Sequence, residues 1–163
     1  MRNITRRSVF FFIAFLSVGL FVLAENSYAQ GGDSRSLHDQ QNALVEGAKQ
    51  MQSGNKLVVE KMEKKGVKDP ALAAAEKKMK EGYEMVAKGQ SMMTGSTTEQ
   101  GKEMVTRGAK MMMDADKETR ALVKKHGMEK ECASELESCA VGKEKVKTGF
   151  QAYGLQGNWE SGF

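Results

Sequence analysis

Sulfur-bearing side chains are the groups in this sequence with the clearest capacity for chemistry. The chain has twelve methionines and two cysteines, and the methionines include the runs Met92-Met93 and Met111-Met112-Met113. Thioethers are soft ligands that suit Cu(I). One hypothesis is therefore a copper site formed by Met79, Met111, Met112 and Cys139. The alternative is that the methionines fill gaps in a helical core, because their unbranched side chains adapt to irregular surfaces.

The two cysteines, Cys132 and Cys139, suggest a disulfide if the chain is exported. On one continuous helix, positions seven residues apart have Cα atoms about 10.5 Å apart, whereas a disulfide tolerates at most about 7 Å. The bond therefore requires Cys132 to lie outside the helix that contains Cys139. We expect this disulfide, with Cys132 folded back over the first helical turn. The alternatives are two free thiols on a continuous helix, an intermolecular bridge, or a metal role.

Other catalytic or metal-binding patterns are not found in the sequence. It has no Glu-x-x-His pair, nucleophile elbow, P-loop or Cys-x-x-Cys. The two histidines, His38 and His126, fall at opposite poles of the fold predicted below and cannot share an ion. We therefore predict that the chain is not an enzyme and that it has no cofactor other than the copper considered above.

The first 29 residues are typical of a secretory signal peptide. Three arginines precede an apolar stretch from Val9 to Ala24, and Ser27 and Ala29 are the small residues of a cleavage site. We predict cleavage after Ala29 and a periplasmic or secreted protein, which would contact a membrane only through an uncleaved signal. The Phe-rich apolar stretch favours the general secretory route, and the Arg6-Arg7 pair leaves the twin-arginine route open.

The charge pattern argues against nucleic acid as a partner. Lys and Arg number 25 and Asp and Glu 21; removing the signal takes away three arginines and one glutamate, which leaves a net charge of +2. The charges are interspersed, as on solvated helix faces, and form no polybasic block. We expect a protein partner in the cell envelope, whose identity the sequence does not give, and the oligomeric state is open.

Eight glycines indicate how these groups are positioned. Within each pair the spacing is seven residues, which places both members on one helix face. The pairs are Gly47/Gly54, Gly82/Gly89, Gly101/Gly108 and Gly142/Gly149. Successive pairs mirror one another about positions 68, 95 and 125, as expected if consecutive helices run antiparallel. We predict an all-α, antiparallel, up-down-up-down four-helix bundle whose core alternates glycine layers with layers of large residues.

End signals place the bundle at residues 35–153, after a lead-in at 30–34 and before a flexible tail at 154–163. Gly66 and Asp69-Pro70 separate the first two helices, and Gly95 and Gly127 end the second and third. The fourth helix has an ambiguous start, at Ser134 or nearer Gly127. In the tail, Trp159 is a candidate contact for a partner.

The glycines also limit the possible functions. A glycine inside a helix costs about 0.5–1 kcal/mol relative to alanine, so eight of them need a compensating role. Close helix packing is one such role, and a central slot for a small apolar ligand is another. The mirror positions predict one large-residue layer made of Val58, Met79, Met112 and Cys139. We therefore expect an exported, non-catalytic protein-interaction or structural and stress module of the cell envelope, with copper buffering or ligand carriage as alternatives.

Overall fold

Four α-helices make up the part of the chain that the structure describes, and no strand occurs there. The structure, a computed structural model, describes residues 34–93, 97–157 and 159. The helices are α1 (Ser34–Lys64), α2 (Pro70–Met92), α3 (Thr98–Lys125) and α4 (Ala133–Ala152). The predicted helical class is confirmed, and the four helices fit a four-helix bundle. The predicted signal peptide, most of the lead-in and the stop signal at Gly95 lie outside the described residues.

Helix ends follow from local chemistry. Asp69 has an extended backbone and its side chain accepts a hydrogen bond from the Ala71 amide at 3.0 Å, so it caps α2, and Pro70 is the first helical residue as predicted. Gly66 (φ +85°) and Gly127 (φ +65°) adopt the left-handed conformation that strains other residues. Each follows the end of a helix, α1 and α3 respectively. None of the described helices is long and apolar enough to span a bilayer.

Two glycine pairs bring α2 and α3 into backbone contact. A β-carbon placed on Gly82 would lie 2.8 Å from the carbonyl oxygen of Gly108, and one on Gly89 would lie 2.7 Å from that of Gly101. These distances are well inside van der Waals contact, so the backbones meet where side chains are missing. As the position on α2 rises from Gly82 to Gly89, the position of its partner on α3 falls from Gly108 to Gly101, and both pairs average to position 95. The two helices are therefore antiparallel, and we call them the α2/α3 pair.

The other four glycines bring α1 and α4 together as the α1/α4 pair. A β-carbon on Gly47 would lie 2.5 Å from the carbonyl oxygen of Gly142, and one on Gly149 would lie 2.5 Å from the backbone nitrogen of Leu44. The nearest atoms to Gly47 and Gly149 all belong to the partner helix of this pair. The glycines therefore do not meet at the mirror positions about 68 and 125, which would have matched α1 with α2 and α3 with α4.

The buried apolar side chains form two clusters. The larger cluster includes Met51, Met79, Val86, Val105, Met112, Val146 and Phe150. The smaller cluster includes Val58, Val59, Met62, Leu72, Val123, Met128 and Cys132. Val58 is thus in a different cluster from Met79 and Met112, and the predicted layer that grouped them is wrong. The glycines fix α1 against α4, and Val58 packs in the cluster that contains Leu72 and Val123.

Candidate functional site

A group of buried and half-buried polar side chains, the polar cluster, occupies the helices at the junction of the two apolar clusters. It comprises Asn55 on α1, Asp116, Thr119 and Arg120 on α3, and Glu135 and Cys139 on α4. Asn55 is fully buried, and its Nδ2 donates to Thr119 Oγ1 at 2.6 Å. Its Oδ1 has no hydrogen-bond partner. This hydrogen bond joins the α1/α4 pair to the α2/α3 pair.

Arg120 makes a second connection between the two helix pairs, and it also forms an ion pair within α3. Asp116 Oδ2 accepts from Arg120 Nε at 2.8 Å. Arg120 also reaches α4, where its Nη2 donates to the Leu136 carbonyl oxygen at 2.9 Å. Asp116 Oδ1 is buried without a partner. The guanidinium therefore compensates the buried carboxylate and holds α3 against α4 with the same group.

Within the α1/α4 pair, Lys61 holds the first turn of α4. Its Nζ forms an ion pair with Glu135 Oε1 and donates to the Glu131 carbonyl oxygen at 2.8 Å. The Lys61 hydrogen bond lowers the pKa of Glu135. The second carboxylate oxygen of Glu135 is buried without a partner. The polar cluster thus contains three unpaired acceptor oxygens, on Asn55, Asp116 and Glu135.

Cys139 is a buried thiol that stays protonated. Its Sγ donates to the Met51 carbonyl oxygen at 3.6 Å. Burial raises the pKa of Cys139 to about 12, and the nearby charge of Asp116 acts in the same direction. Because the thiolate is the nucleophile and the metal ligand, this residue is poorly suited to either role at neutral pH.

The predicted disulfide is not formed: Cys132 and Cys139 are both buried free thiols. Cys132 is the residue before α4, yet its carbonyl oxygen already accepts from the Leu136 amide at 2.9 Å, in helical spacing. Two helical turns separate the thiols by about 10.5 Å along the axis, beyond the reach of a disulfide. Burial also raises the pKa of Cys132. The alternative of two free thiols in helical spacing is the arrangement that the structure has.

The residues proposed to bind copper have different environments. Met79 and Met112 are fully buried in the larger apolar cluster, and Met112 packs on Gly82. Met111 is half-buried, and the sulfur of Cys139 lies beside Gly54 on α1. Within the described residues there is also no group of three His, Cys, Asp or Glu side chains able to hold a metal ion. Copper binding therefore stays a prediction. Met111 is the most accessible of the four residues proposed for it.

Asp69 ties the start of α2 to the end of α3. Its Oδ2 lies 2.8 Å from Lys125 Nζ and 3.3 Å from His126 Nε2. The hydrogen bonds from Lys125, from the Ala71 amide and from His126 lower the pKa of Asp69 to about 2. At the other end of the bundle, His38 lies 3.1 Å from Asn42 on the first turns of α1.

Trp159 is placed differently from the prediction of a side chain free to contact a partner. It is 9% exposed and belongs to the larger apolar cluster. Its ring packs edge-on against Phe150, with 5.1 Å between ring centroids. Residues 158 and 160–163 lie outside the described part of the chain, so the predicted flexibility of the tail stays a prediction for them.

The outer surface has a shallow apolar groove on each helix pair. On the α1/α4 pair, the groove is lined by Ala43, Ala140 and Val141, with charged residues at its margin, and Val141 is 42% exposed. On the α2/α3 pair, the corresponding apolar residues are Ala71, Ala74, Ala121 and Leu122. Each groove is open to solvent, so a partner could reach either one without a change in the helices.

Sequence reasoning missed most of the polar cluster, although a signal for it exists. A second row of buried residues follows the glycine positions by one residue. On α1 the row is Ala48, Asn55 and Met62, and on α3 it is Ala109, Asp116 and Val123. In each of these three-residue rows one polar residue lies between two apolar ones, although Lys102, one heptad before Ala109, is also polar and half-buried. The pattern is therefore a weak signal for Asn55 and Asp116.

The chain matches no protein-family model, and neither curated proteins nor solved structures gave a significant match.

Proposed function

We propose that this chain is an exported, non-catalytic helical-bundle module of the cell envelope that binds another envelope protein through its outer faces. The apolar, Arg-preceded start of the sequence supports export. The contacts at the eight glycines support binding through the outer faces, because they show which part of the interior is already filled.

The space beside the eight glycines is filled. A β-carbon on any of them would come within 2.5–2.7 Å of an atom on the partner helix. The glycine positions therefore provide backbone contact and leave no slot for a ligand. This filling favours the outer faces of the bundle as the place where a partner binds.

The chemistry of the polar cluster also favours a structural role. Its charges are compensated internally, since Arg120 pairs with Asp116 and Lys61 pairs with Glu135. Its thiol is protonated and hydrogen-bonded to backbone. A general acid, base or nucleophile needs a pKa near the working pH, and the Cys139 thiol is far from it.

The two alternative functions differ in their support. Carriage of an apolar ligand has no support from the glycine positions, because helix backbone occupies them. Copper buffering through Met79, Met111, Met112 and Cys139 requires an ion to enter the buried core, because only Met111 is partly exposed. Neither alternative explains why the bundle interior is packed so closely.

In-cell photo-crosslinking tests the proposal. A photoreactive residue replaces Val141 in the α1/α4 groove, and a matched variant carries it at the exposed Lys117 on α3. We expect one discrete protein adduct that depends on the groove position. Adducts of equal yield at both positions, or none at either position, would contradict a specific protein partner in this groove. Native mass spectrometry of the same protein gives the second readout, since a bound small molecule would favour the carrier alternative.

A further inference from the structure

Four methionines form a distinct row on the outside of the α2/α3 pair. Each of them follows a contact glycine by three residues, and each is half-buried. This outer row consists of Met85 and Met92 on α2 and Met104 and Met111 on α3. The residues that follow the same glycines by four positions are fully or nearly fully buried on the inner side: Val86, Met93, Val105 and Met112. The glycine contact therefore has a core side and a solvent side, and the solvent side is lined with thioethers.

Contacts further along the same row show which positions face each other. Lys78 lies seven residues before Met85 on α2, and Glu118 lies seven residues after Met111 on α3. Lys78 and Glu118 form an ion pair, with Lys78 Nζ 2.8 Å from Glu118 Oε1. One heptad further still, Ala71 and Lys125 line the same groove. Both of these pairs are centred on position 98 of the chain.

The methionines have the same centre and the same heptad steps. Met85 with Met111, and Met92 with Met104, are also centred on position 98. They therefore face each other across the glycine contact as Lys78 and Glu118 do. The outer row thus contains two methionine pairs, separated by one heptad, about 10.5 Å along the helices.

We propose that each methionine pair binds one soft monovalent cation, Cu(I) or Ag(I), through its two thioether sulfurs. Thioethers are neutral, soft donors that select Cu(I) over hard ions. The two sulfurs come from different helices, which the glycine contact holds at a fixed separation. Because the row is half-buried, an ion reaches it from solvent without opening the core.

The α1/α4 pair shows that the row is not a by-product of the glycine pattern. Its equivalent positions, three residues after each glycine, carry no sulfur: they are Gln50, Leu57, Lys145 and Ala152. The same backbone contact thus occurs with and without an outer methionine row. The copper hypothesis from the sequence is moved by this placement from the core to the surface, and only Met111 is common to both sets.

A titration with Ag(I), monitored by NMR of the methionine methyl groups of the unmutated protein, tests the proposal. We expect the methyl signals of Met85, Met92, Met104 and Met111 to shift with Ag(I), and two ions to bind per chain. Replacing one pair by leucine (Met85→Leu with Met111→Leu) should remove one ion. The matched control replaces two buried methionines (Met79→Leu with Met112→Leu) and should still bind both ions, because leucine conserves volume.

The pH dependence separates thioethers from thiols. Thioether sulfur does not titrate, so the four methyl shifts should persist at pH values well below the ordinary thiol range. Methyl signals of the outer row that stay unchanged in excess Ag(I) would overturn the proposal. Equal loss of ions in the Met79/Met112 control, or binding that disappears on acidification, would also overturn it. The methyl readout uses the unmutated protein, so it decides the question even if a variant fails to fold.

Discussion

The α2/α3 and α1/α4 pairs have the same glycine spacing, but their glycines contact different atoms on the partner helix. In the α2/α3 pair, glycine meets glycine at both contacts, Gly82 with Gly108 and Gly89 with Gly101. In the α1/α4 pair only Gly47 and Gly142 meet in this way. Gly54 lies against Cys139 Sγ, and Gly149 lies against the backbone of Leu44. The same glycine spacing therefore brings two helices into contact in both pairs, and the atoms that each glycine meets differ between the pairs.

Each pair is also joined by an ion pair at one end, through different residues. The α1/α4 pair is joined by Lys61 and Glu135, and the α2/α3 pair by Asp69 with Lys125 and His126. Asn55 and Arg120 then join the two pairs to each other. The bundle is thus two tight helix pairs held together by a small number of buried polar contacts and by the apolar clusters.

The largest effect is expected for Gly149→Ala in the α1/α4 pair. The new β-carbon would lie 2.5 Å from both Cβ and N of Leu44, and helix backbone cannot turn aside as a side chain can. We expect the free energy of unfolding to fall by about 3 kcal/mol, at the upper end of overpacking effects. Chemical denaturation measures it. An increase in stability would contradict the close contact of α1 and α4.

Arg120→Ala should weaken the connection between the two pairs. Both carboxylate oxygens of Asp116 would then lack a partner, and the Leu136 carbonyl oxygen would lose its donor. Leaving buried polar groups unpaired should lower the free energy of unfolding by about 2 kcal/mol. The matched control is Arg107→Ala at an exposed position of α3, expected to change stability by less than about 0.5 kcal/mol. Similar losses in both variants would argue against a special role for Arg120.

A double-mutant cycle sharpens the account of Gly54. A β-carbon on Gly54 would lie 2.7 Å from Cys139 Sγ, and the next nearest atom is the Glu135 carbonyl oxygen at 3.0 Å. Because the closest atom belongs to a side chain, Cys139→Ala should relieve about 1 kcal/mol of the loss caused by Gly54→Ala. A Cys132→Ala background serves as the control and should leave that loss unchanged. Identical losses in all backgrounds would show that the thiol does not limit this contact.

The smallest effect concerns pH at the end of the α2/α3 pair. The pKa of Asp69 is lowered from 3.8 to about 2 in the folded protein, so its stabilising contribution is present above pH 3.8 and is lost as the pH falls toward 2. The stability of Asp69→Asn should therefore depend less on pH in this range. NMR titration of the Asp69 carboxyl carbon should give a midpoint near 2, which Lys125→Ala raises. A midpoint at the ordinary value would rule out the ion pair in solution.

Local sequence signals predicted more of the fold than of the site. Asp69-Pro70 and Gly66 mark helix ends through backbone chemistry that acts within a few residues, and the structure has them as predicted. Which helices the glycines join depends on packing between distant segments. The mirror about position 95 matches α2 with α3, whereas the equally regular mirrors about 68 and 125 do not match contacts.

The site was harder to predict because burial decides its chemistry. The cysteines suggested a disulfide from number and predicted compartment, but continuous helical spacing keeps the thiols apart. Asn55 and Asp116 are polar residues in helices rich in polar residues, and only their burial in the folded chain distinguishes them. Some half-buried methionines stand directly before buried ones in the sequence. An apolar pattern alone does not show which of two adjacent methionines faces solvent.

The most direct test of the account is the unfolding free energy of Gly101→Ala in the α2/α3 pair. The added β-carbon would lie 2.7 Å from the Gly89 carbonyl oxygen and 3.0 Å from the Met93 amide nitrogen. If glycine is needed because the helix backbones touch, the variant should lose about 2 kcal/mol. If the helices do not touch there, alanine should instead stabilise α3 by up to about 1 kcal/mol, and that gain would contradict the closed interior on which the proposed function depends.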